Sequence, residues 1–436
     1  MPVTLRKMLP ADLAEVLSVL ARWNMAPVEA TADVPDPERS RVEVANTFVA
    51  VDGPRIVGVG SYLMLSEGEA ETASLAVHPD YLGAGVGYRL QKARLLEMRQ
   101  RGVRRVRTEA DRPQTIKWYI NKFCYRVVGR NRKKHAFSLG GVDYWTVLEL
   151  DLGEWAFRGR LIINAALTGV VPTKADNPSV PLTPREIAAD ALRVYRLGAS
   201  MVHIHARDED GLPTPRKEVF REIFARIRDA CPDIVIVATT SGRRTRGLEE
   251  RLEVLGLTGP DRPDMASLTL GSLNFSKEPS VNSPEAIQTL LATMLEAGVR
   301  PELEIFEPGM ANYARLLVNR GLVGGRLYAN IILGSLGTAA ATPQDLLHIV
   351  SGLPEEVVWA ATGVGRFAFG MQCAAMALGG HVRVGLEDSL YLDEDKAEPA
   401  TNESLVGRVV RVAEALGRPL ATPQEVRQIL ELGEPR

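Results

Sequence analysis

Val202-His203-Ile204-His205 alternates apolar and imidazole side chains. In a strand, residues two apart share a face, so His203 and His205 point one way and Val202 and Ile204 the other. This run is one of eight strand-like segments beyond residue 160, at 161–168, 199–207, 233–240, 265–271, 301–306, 327–333, 356–362 and 381–387. Helical patterns alternate with them. Thr183-Pro184-Arg185-Glu186, Ser283-Pro284-Glu285 and Thr342-Pro343-Gln344 each set a capping hydroxyl before a first-turn proline. Gly198, Gly298 and Gly379 stand where helices should stop. Eight alternations over this length predict a (β/α)8 TIM barrel. A doubly wound open sheet is the alternative, but it usually has fewer strands.

Extending the two-residue rule gives several of the strands a polar face. Asn164, Ala166 and Thr168 share one, as do His203, His205 and Arg207, Ser267 and Thr269, and Glu302 and Glu304. In His381-Val382-Arg383-Val384-Gly385-Leu386-Glu387-Asp388 the same count groups Arg383, Gly385 and Glu387. The outward face of a barrel strand packs on helices and must be apolar, so these polar faces point inward. Buried charges there must be paired or metal-bound, and such barrels hold their chemistry at the carboxyl ends of the strands. Two imidazoles and one carboxylate, His203, His205 and Glu387, form a zinc-ligand set that leaves a position open for chemistry. The competing reading is a pair of hydrogen-bonded core histidines beside a buried Arg–Glu pair.

The first 150 residues have a different rhythm. Strand candidates at 47–51, 55–64, 70–78, 103–109, 123–130 and 144–152 often adjoin one another, with helices at 10–23, 85–101 and 113–122. This is an α+β pattern, a mixed sheet with helices. Residues 153–160 read as a short connection, which gives domains over 1–153 and 158–436. Ala76-Val77-His78-Pro79-Asp80-Tyr81-Leu82-Gly83-Ala84-Gly85-Val86-Gly87 ends a strand and opens a helix, where free N–H groups attract phosphate oxygens. Its spacing is not that of a dinucleotide-binding turn. A glycine turn without a ligand is the bland alternative.

Composition excludes several classes. Formal net charge is −2, so the chain as a whole is no polyelectrolyte. Residues 99–134 carry thirteen Lys or Arg against Glu109 and Asp111, but apolar strand residues interrupt the run. It reads as a solvated basic rim rather than a nucleic-acid surface. No apolar run reaches membrane-spanning length, and the N-terminus lacks a signal peptide's apolar core. Three unclustered cysteines suit a reducing compartment, so the expected location is cytoplasmic.

The glycine segment resembles the pyrophosphate loop of GCN5-related N-acetyltransferases (GNAT), over about residues 3–152. The resemblance implies acetyl-CoA contacts at Val77, Leu82, Gly83, Ala84, Gly85 and Gly87. In Trp118-Tyr119-Ile120-Asn121-Lys122-Phe123-Cys124-Tyr125 it implies that Tyr119 protonates the departing thiolate. Leu82 stands where that family usually has Arg or Gln, and Cys124 where it usually has Gly.

Segments across about 161–432 resemble the β-keto acid cleavage enzymes. They include Thr168-Gly169, Asn177-Pro178, His203-Ile204-His205-Ala206-Arg207-Asp208, Gly271-Ser272-Leu273-Asn274-Phe275, Gly380 to Asp388 and Leu420-Ala421-Thr422-Pro423. This resemblance implies that a β-keto acid and acetyl-CoA give acetoacetate and a new acyl-CoA. It implies zinc on His203, His205 and Glu387, with Asp388 as base and Arg383 orienting Asp388 or the substrate carboxylate. Thr239 or Ser241 would bond an oxyanion, and Glu304 would order the site. Adjacent strand residues point apart, so Asp388 can join Glu387 only if the strand ends or bends there. The alternative reading is that Thr239 only finishes its strand and that Glu304 only balances Arg207 or Arg383. Where relatives acting on amino-bearing keto acids carry an acid two places after Thr-Gly, this chain has Val171, which implies an uncharged or apolar substrate tail. Relatives of the barrel form homo-oligomers, and the same is expected here.

Overall fold

The computed structural model describes residues 3–27, 42–134, 138–157, 159–243, 247–275 and 278–435. The chain divides into two compact units between residues 158 and 159.

The first unit is a seven-stranded sheet. Its strands are β1 (Thr4–Lys7), β2 (Thr47–Asp52), β3 (Arg55–Met64), β4 (Glu69–Val77), β5 (Arg105–Ala110), β6 (Arg126–Arg132) and β7 (Tyr144–Asp151), in the order β1-β2-β3-β4-β5-β7-β6. Only β4 and β5 pair in parallel. Helices Leu13–Ala21, Val86–Gln100 and Pro113–Phe123 match three of the expected spans closely. The expectation differs at three places. β1 is too short to show a period, and the strand expected over 123–130 starts at Arg126. That start is delayed because Cys124 ends the preceding helix in the left-handed conformation, φ 67°. The expected connection after residue 152 is a short helix, Leu152–Phe157, within the first unit.

The second unit is a closed barrel. Its strands are β8 (Ile163–Ala166), β9 (Met201–Ile204), β10 (Val235–Ala238) and β11 (Met265–Thr269), then, after a small hairpin of β12 (Leu273–Asn274) and β13 (Pro279–Ser280), β14 (Arg300–Ile305), β15 (Leu327–Leu333), β16 (Val357–Gly363) and β17 (His381–Val384). All eight barrel strands run parallel, and β17 closes on β8. The predicted caps form: Thr183, Ser283 and Thr342 each accept the backbone N–H three residues on. No described helix is long and apolar enough to cross a membrane.

The outward strand faces bury Ile163, Val202, Ile204, Ile236, Leu268, Leu303 and Val382 against the helices, in one apolar core. Inside the barrel the amino-terminal end is also apolar, filled by Ile162, Met201, Val235, Val237, Met265 and Tyr328 and closed by helix Pro423–Ile429. That helix is tied down by Arg427, whose Nη1 and Nη2 lie 3.0 and 3.1 Å from the two Asp264 oxygens. Both residues are buried. The apolar plug leaves polar chemistry to the carboxyl end.

Arg427→Met would remove both close guanidinium contacts of the buried Asp264 carboxylate, leaving it Arg228 at 3.9 Å, at a cost of about 3 kcal/mol in a denaturant melt of the barrel. The double variant Arg427→Met/Asp264→Asn should recover part of that loss. A single-variant change under about 0.5 kcal/mol would contradict the assignment.

Candidate active site

Four strands aim polar groups at one point inside the barrel. Glu302 of β14 is fully buried. Its Oε1 accepts Asn164 Nδ2 of β8 and Asn330 Nδ2 of β15, both at 2.7 Å, and its Oε2 lies 2.8 Å from His203 Nδ1 of β9. A proton on His203 Nδ1 is drawn to Glu302, so the lone pair falls on Nε2. That nitrogen is buried and has no hydrogen-bond partner. His205, just past the end of β9, places Nε2 3.2 Å from Glu387 Oε1. Potential metal-ligand atoms of His203, His205 and Glu387 all lie within 4.8 Å of one another, as do those of His203, Glu302 and Glu304.

The turn after β17 delivers the acidic residues. The strand stops at Val384, so turn geometry, not strand alternation, aligns Glu387 with Arg383. Gly385 makes the turn: a Cβ there would lie 2.0 Å from the Ala166 carbonyl oxygen. Asp388 and Ser389 then donate their N–H groups to the Gly385 carbonyl, both at 3.1 Å. Two consecutive residues therefore reach the same site, which the sequence allows only at a strand end. Arg383 grips both: Nη2 is 2.7 Å from Glu387 Oε1, and Nε is 2.9 Å from Asp388 Oδ2. Gly169 on the facing loop, φ 73°, is packed on Glu387, whose Cγ would lie 2.7 Å from an added Cβ.

Electrostatics separates the two acids. Burial pushes Glu387 up, but Arg383, His205 and His203 outweigh it and hold the group well below the usual carboxylate range. For Asp388 burial prevails over Arg383, with Glu387 adding to the rise, and its pKa lies above the ordinary aspartate value. Burial lowers His205 and favours its neutral form. One acid is thus held ionised, and its neighbour is the better proton acceptor.

A cleft of about 470 Å³ opens above these groups; His205, Thr239, Ser241, Glu304 and Val171 are part of its lining. Thr239 Oγ1 accepts the Ser241 N–H at 3.1 Å, which leaves the hydroxyl proton for another acceptor. Glu304 accepts Thr269 Oγ1 at 2.6 Å and lies 3.7 Å from Arg383 Nη1. Arg207 Nη2 holds the carbonyls of Gly169 and Pro172, at 2.5 and 3.0 Å, and braces the loop that carries Val171. The Glu302–Asn164–Asn330 group escaped sequence reading, although the two-residue rule turned Asn164 and Glu302 inward. Asn330, a single amide in an otherwise apolar strand, was the missed signal.

In the first unit, Val77 ends β4, and Gly83 and Gly85 take the left-handed conformation, φ 80° and 75°, before helix Val86–Gln100. An added Cβ at either would meet nothing within 4 Å, so backbone conformation, not space, selects glycine there. Gly87 lies in the first turn of that helix, and Leu82 is exposed. Tyr119 is 4% exposed, with its hydroxyl 3.4 Å from Arg94 Nη2.

The model of the beta-keto acid cleavage enzyme family (BKACE) matches residues 160–432, and that of the acetyltransferase (GNAT) family matches residues 16–123. The chain is 42% identical over 274 residues to a 3-keto-5-aminohexanoate cleavage enzyme of Fusobacterium nucleatum subsp. nucleatum, covering 63% of this chain and 98% of that protein. It is 34% identical over 275 residues to a 3-oxoadipate:acetyl-CoA acetyltransferase of Cupriavidus necator, covering 62% of this chain and 94% of that protein. Among solved structures, apo ObcA matches with a TM-score of 0.54 at 19% identity, over 67% of this chain and 69% of that chain, a likeness of fold. The closed barrel, the inward histidines and these matches together make the chain a member of the β-keto acid cleavage enzyme family, with a GNAT-type domain in its first half.

Proposed function

We propose that the barrel exchanges acyl groups between a β-keto acid and acetyl-CoA, giving acetoacetate and a new acyl-CoA, with zinc held by His203, His205 and Glu387. The observation that carries this reading is the site's charge balance. Glu304, Glu387 and Asp388 lie 3.7, 2.7 and 2.9 Å from one guanidinium, Arg383, and a fourth carboxylate, Glu302, lies against His203. Buried negative charge in such excess is costly without a further cation. His203 Nε2 and Glu387 Oε2 are also buried without hydrogen-bond partners. A dication would satisfy both atoms, and two imidazoles with one carboxylate are a catalytic zinc set. Bound there, it would act as a Lewis acid on the keto and carboxylate oxygens of the substrate.

The chain's own residues do the rest. Asp388 takes the proton from the carbon between the two carbonyls, while Arg383 fixes its orientation. That carbon bonds to the acetyl carbonyl carbon of acetyl-CoA, and the CoA thiolate departs. The thiolate then adds to the original keto carbon, the bond from that carbon to the carboxylate-bearing carbon breaks, and an acyl-CoA forms. The proton on Asp388 returns to the freed carbon and completes acetoacetate. Thr239, with Ser241 beside it, donates to the oxygen that gathers charge. The two relatives fit this chemistry in their names, since both concern β-keto acids and one concerns acetyl-CoA.

For the first unit we infer that the turn from Val77 to Gly87 binds acetyl-CoA and that Tyr119 protonates the departing thiolate in acetyl transfer to an amine. One observation favours a second reading, a non-catalytic CoA-binding module. The Tyr119 ring is packed against Trp118 and Tyr125, with centroids 5.1 and 5.0 Å away, and its hydroxyl is turned to Arg94.

A panel of β-keto acids incubated with the full chain should yield acetoacetate only when acetyl-CoA is present. Asp388→Asn should lower its formation about 10²–10⁴-fold, since it removes the general base. Acetoacetate formed without any thioester would instead indicate a CoA-independent aldolase or hydrolase. Separately, acetylation of an amine panel should depend on Tyr119, with Tyr119→Phe about 10²-fold slower. Acetylation unchanged in that variant, or missing from the wild type, would favour the passive module.

A further inference from the structure

Arg251 is a buried cation held by neutral groups. It stands on the short helix Leu248–Leu252 and is 7% exposed. Its Nε donates to the Thr240 carbonyl at 2.8 Å, and its Nη2 donates to Asn282 Oδ1 at 2.8 Å. Asn282 is itself fixed to the segment after β11, through Nδ2 to the Gly271 carbonyl and through its N–H to Ser272 Oγ, both at 2.9 Å. The guanidinium also lies against Gly242, where an added Cβ would meet Nη1 at 3.0 Å and Cζ at 3.2 Å. Burial lowers the Arg251 pKa from the usual arginine value, and Glu304 is the charge that raises it. A charge buried on neutral acceptors costs stability that an apolar side chain of the same size would not.

The Thr240 carbonyl gives that charge a use. The backbone before it is already anchored. Thr239 N–H donates to the Ile204 carbonyl at 3.0 Å, and Thr240 N–H and Oγ1 donate to Ser267 Oγ and the Ser267 carbonyl at 3.1 and 2.5 Å. The Thr240 carbonyl and the Ser241 N–H belong to one planar peptide unit and point opposite ways. Fixing the carbonyl therefore aims the N–H, which donates to Thr239 Oγ1 at 3.1 Å. That bond occupies the oxygen and directs the hydroxyl proton elsewhere. A chamber of about 60 Å³ is lined by Arg251, His205, Thr239 and Ser241, and the last three also line the cleft.

We propose that Arg251 is a positioning residue for the barrel's reaction: by holding the Thr240–Ser241 peptide it sets the Thr239 hydroxyl toward the oxygen that gathers charge when the thioester is attacked. It acts through Thr239 and touches no reacting atom. The proposal rests on the reading of the barrel as an acetyl-CoA-dependent β-keto acid enzyme.

The test is a double-variant cycle on acetoacetate formation by the zinc-loaded full chain. The chains are wild type, Arg251→Met and Arg251→Lys, each with and without Thr239→Ala, and each is also melted in denaturant. Thr239→Ala should lower kcat about 10²-fold. Arg251→Met should lower kcat about tenfold and leave the KM of both substrates within about twofold, because the lost interaction is made in the transition state. In the Thr239→Ala background the same change should cost less than about twofold, since the hydroxyl it aims is gone. Arg251→Lys keeps the charge but cannot span both the Thr240 carbonyl and Asn282, so its kcat should lie between wild type and Arg251→Met. It carries the cycle if Arg251→Met does not fold. Losses that multiply, an unchanged kcat in the Arg251 variants beside a lower melting midpoint, or a fully active Thr239→Ala would each overturn the proposal and leave Arg251 a brace of the fold. The wild type alone tests the barrel reading. Acetoacetate absent, or formed without acetyl-CoA, rejects that reading and this proposal with it, whereas a multiplicative cycle in a chain that needs acetyl-CoA rejects only the role of Arg251.

Discussion

The barrel's carboxyl end depends on one buried guanidinium. Arg383 is 1% exposed and holds Glu387 and Asp388 at 2.7 and 2.9 Å. Neighbouring residues in a strand point to opposite faces, so one cation can grip both only if the strand stops between them and it. Gly385 provides that stop, at a place where a Cβ would collide with the Ala166 carbonyl oxygen. Removing the guanidinium would leave two carboxylates uncompensated in low dielectric, which costs far more than a lost surface pair. Turn, ion pairs and site are therefore a single arrangement.

A second carboxylate supports it from below. Glu302 receives two amides and an imidazole from three other strands and sets which nitrogen His203 presents upward. Beneath it the barrel is apolar and plugged by the C-terminal helix. The interior thus changes from dry to polar along its axis. On the polar side, His203 Nε2 and Glu387 Oε2 are buried without hydrogen-bond partners. Buried polar atoms without partners are uncommon in folded proteins, and these two belong to the residues proposed to hold the metal.

Much of this was legible in the sequence, for specific reasons. The period of two and the threonine or serine caps gave all eight barrel strands, because each local signal agreed with the global fold. The inward direction of His203, Glu302, Glu304 and Arg383 followed from the need to keep the helix-facing side apolar. Other features depend on contacts between distant segments and left no local trace. Asn330 pairs with a carboxylate 28 residues away, and Arg207 reaches back 38 residues to the Gly169 carbonyl. The helix Leu152–Phe157 is too short to show a period. Leu82 and Cys124 could be seen to depart from the acetyltransferase pattern. The backbone at Cys124, φ 67°, gives a physical reason why glycine is usual there.

The central claim, a divalent cation gripped by His203, His205 and Glu387, is tested most directly by elemental analysis of the full chain purified without chelator. The account predicts about one zinc equivalent per chain in the wild type, and a loss of most of it in folded Glu387→Gln and His203→Ala. Folded wild-type protein without a bound divalent metal, or variants that hold as much as the wild type, would contradict it.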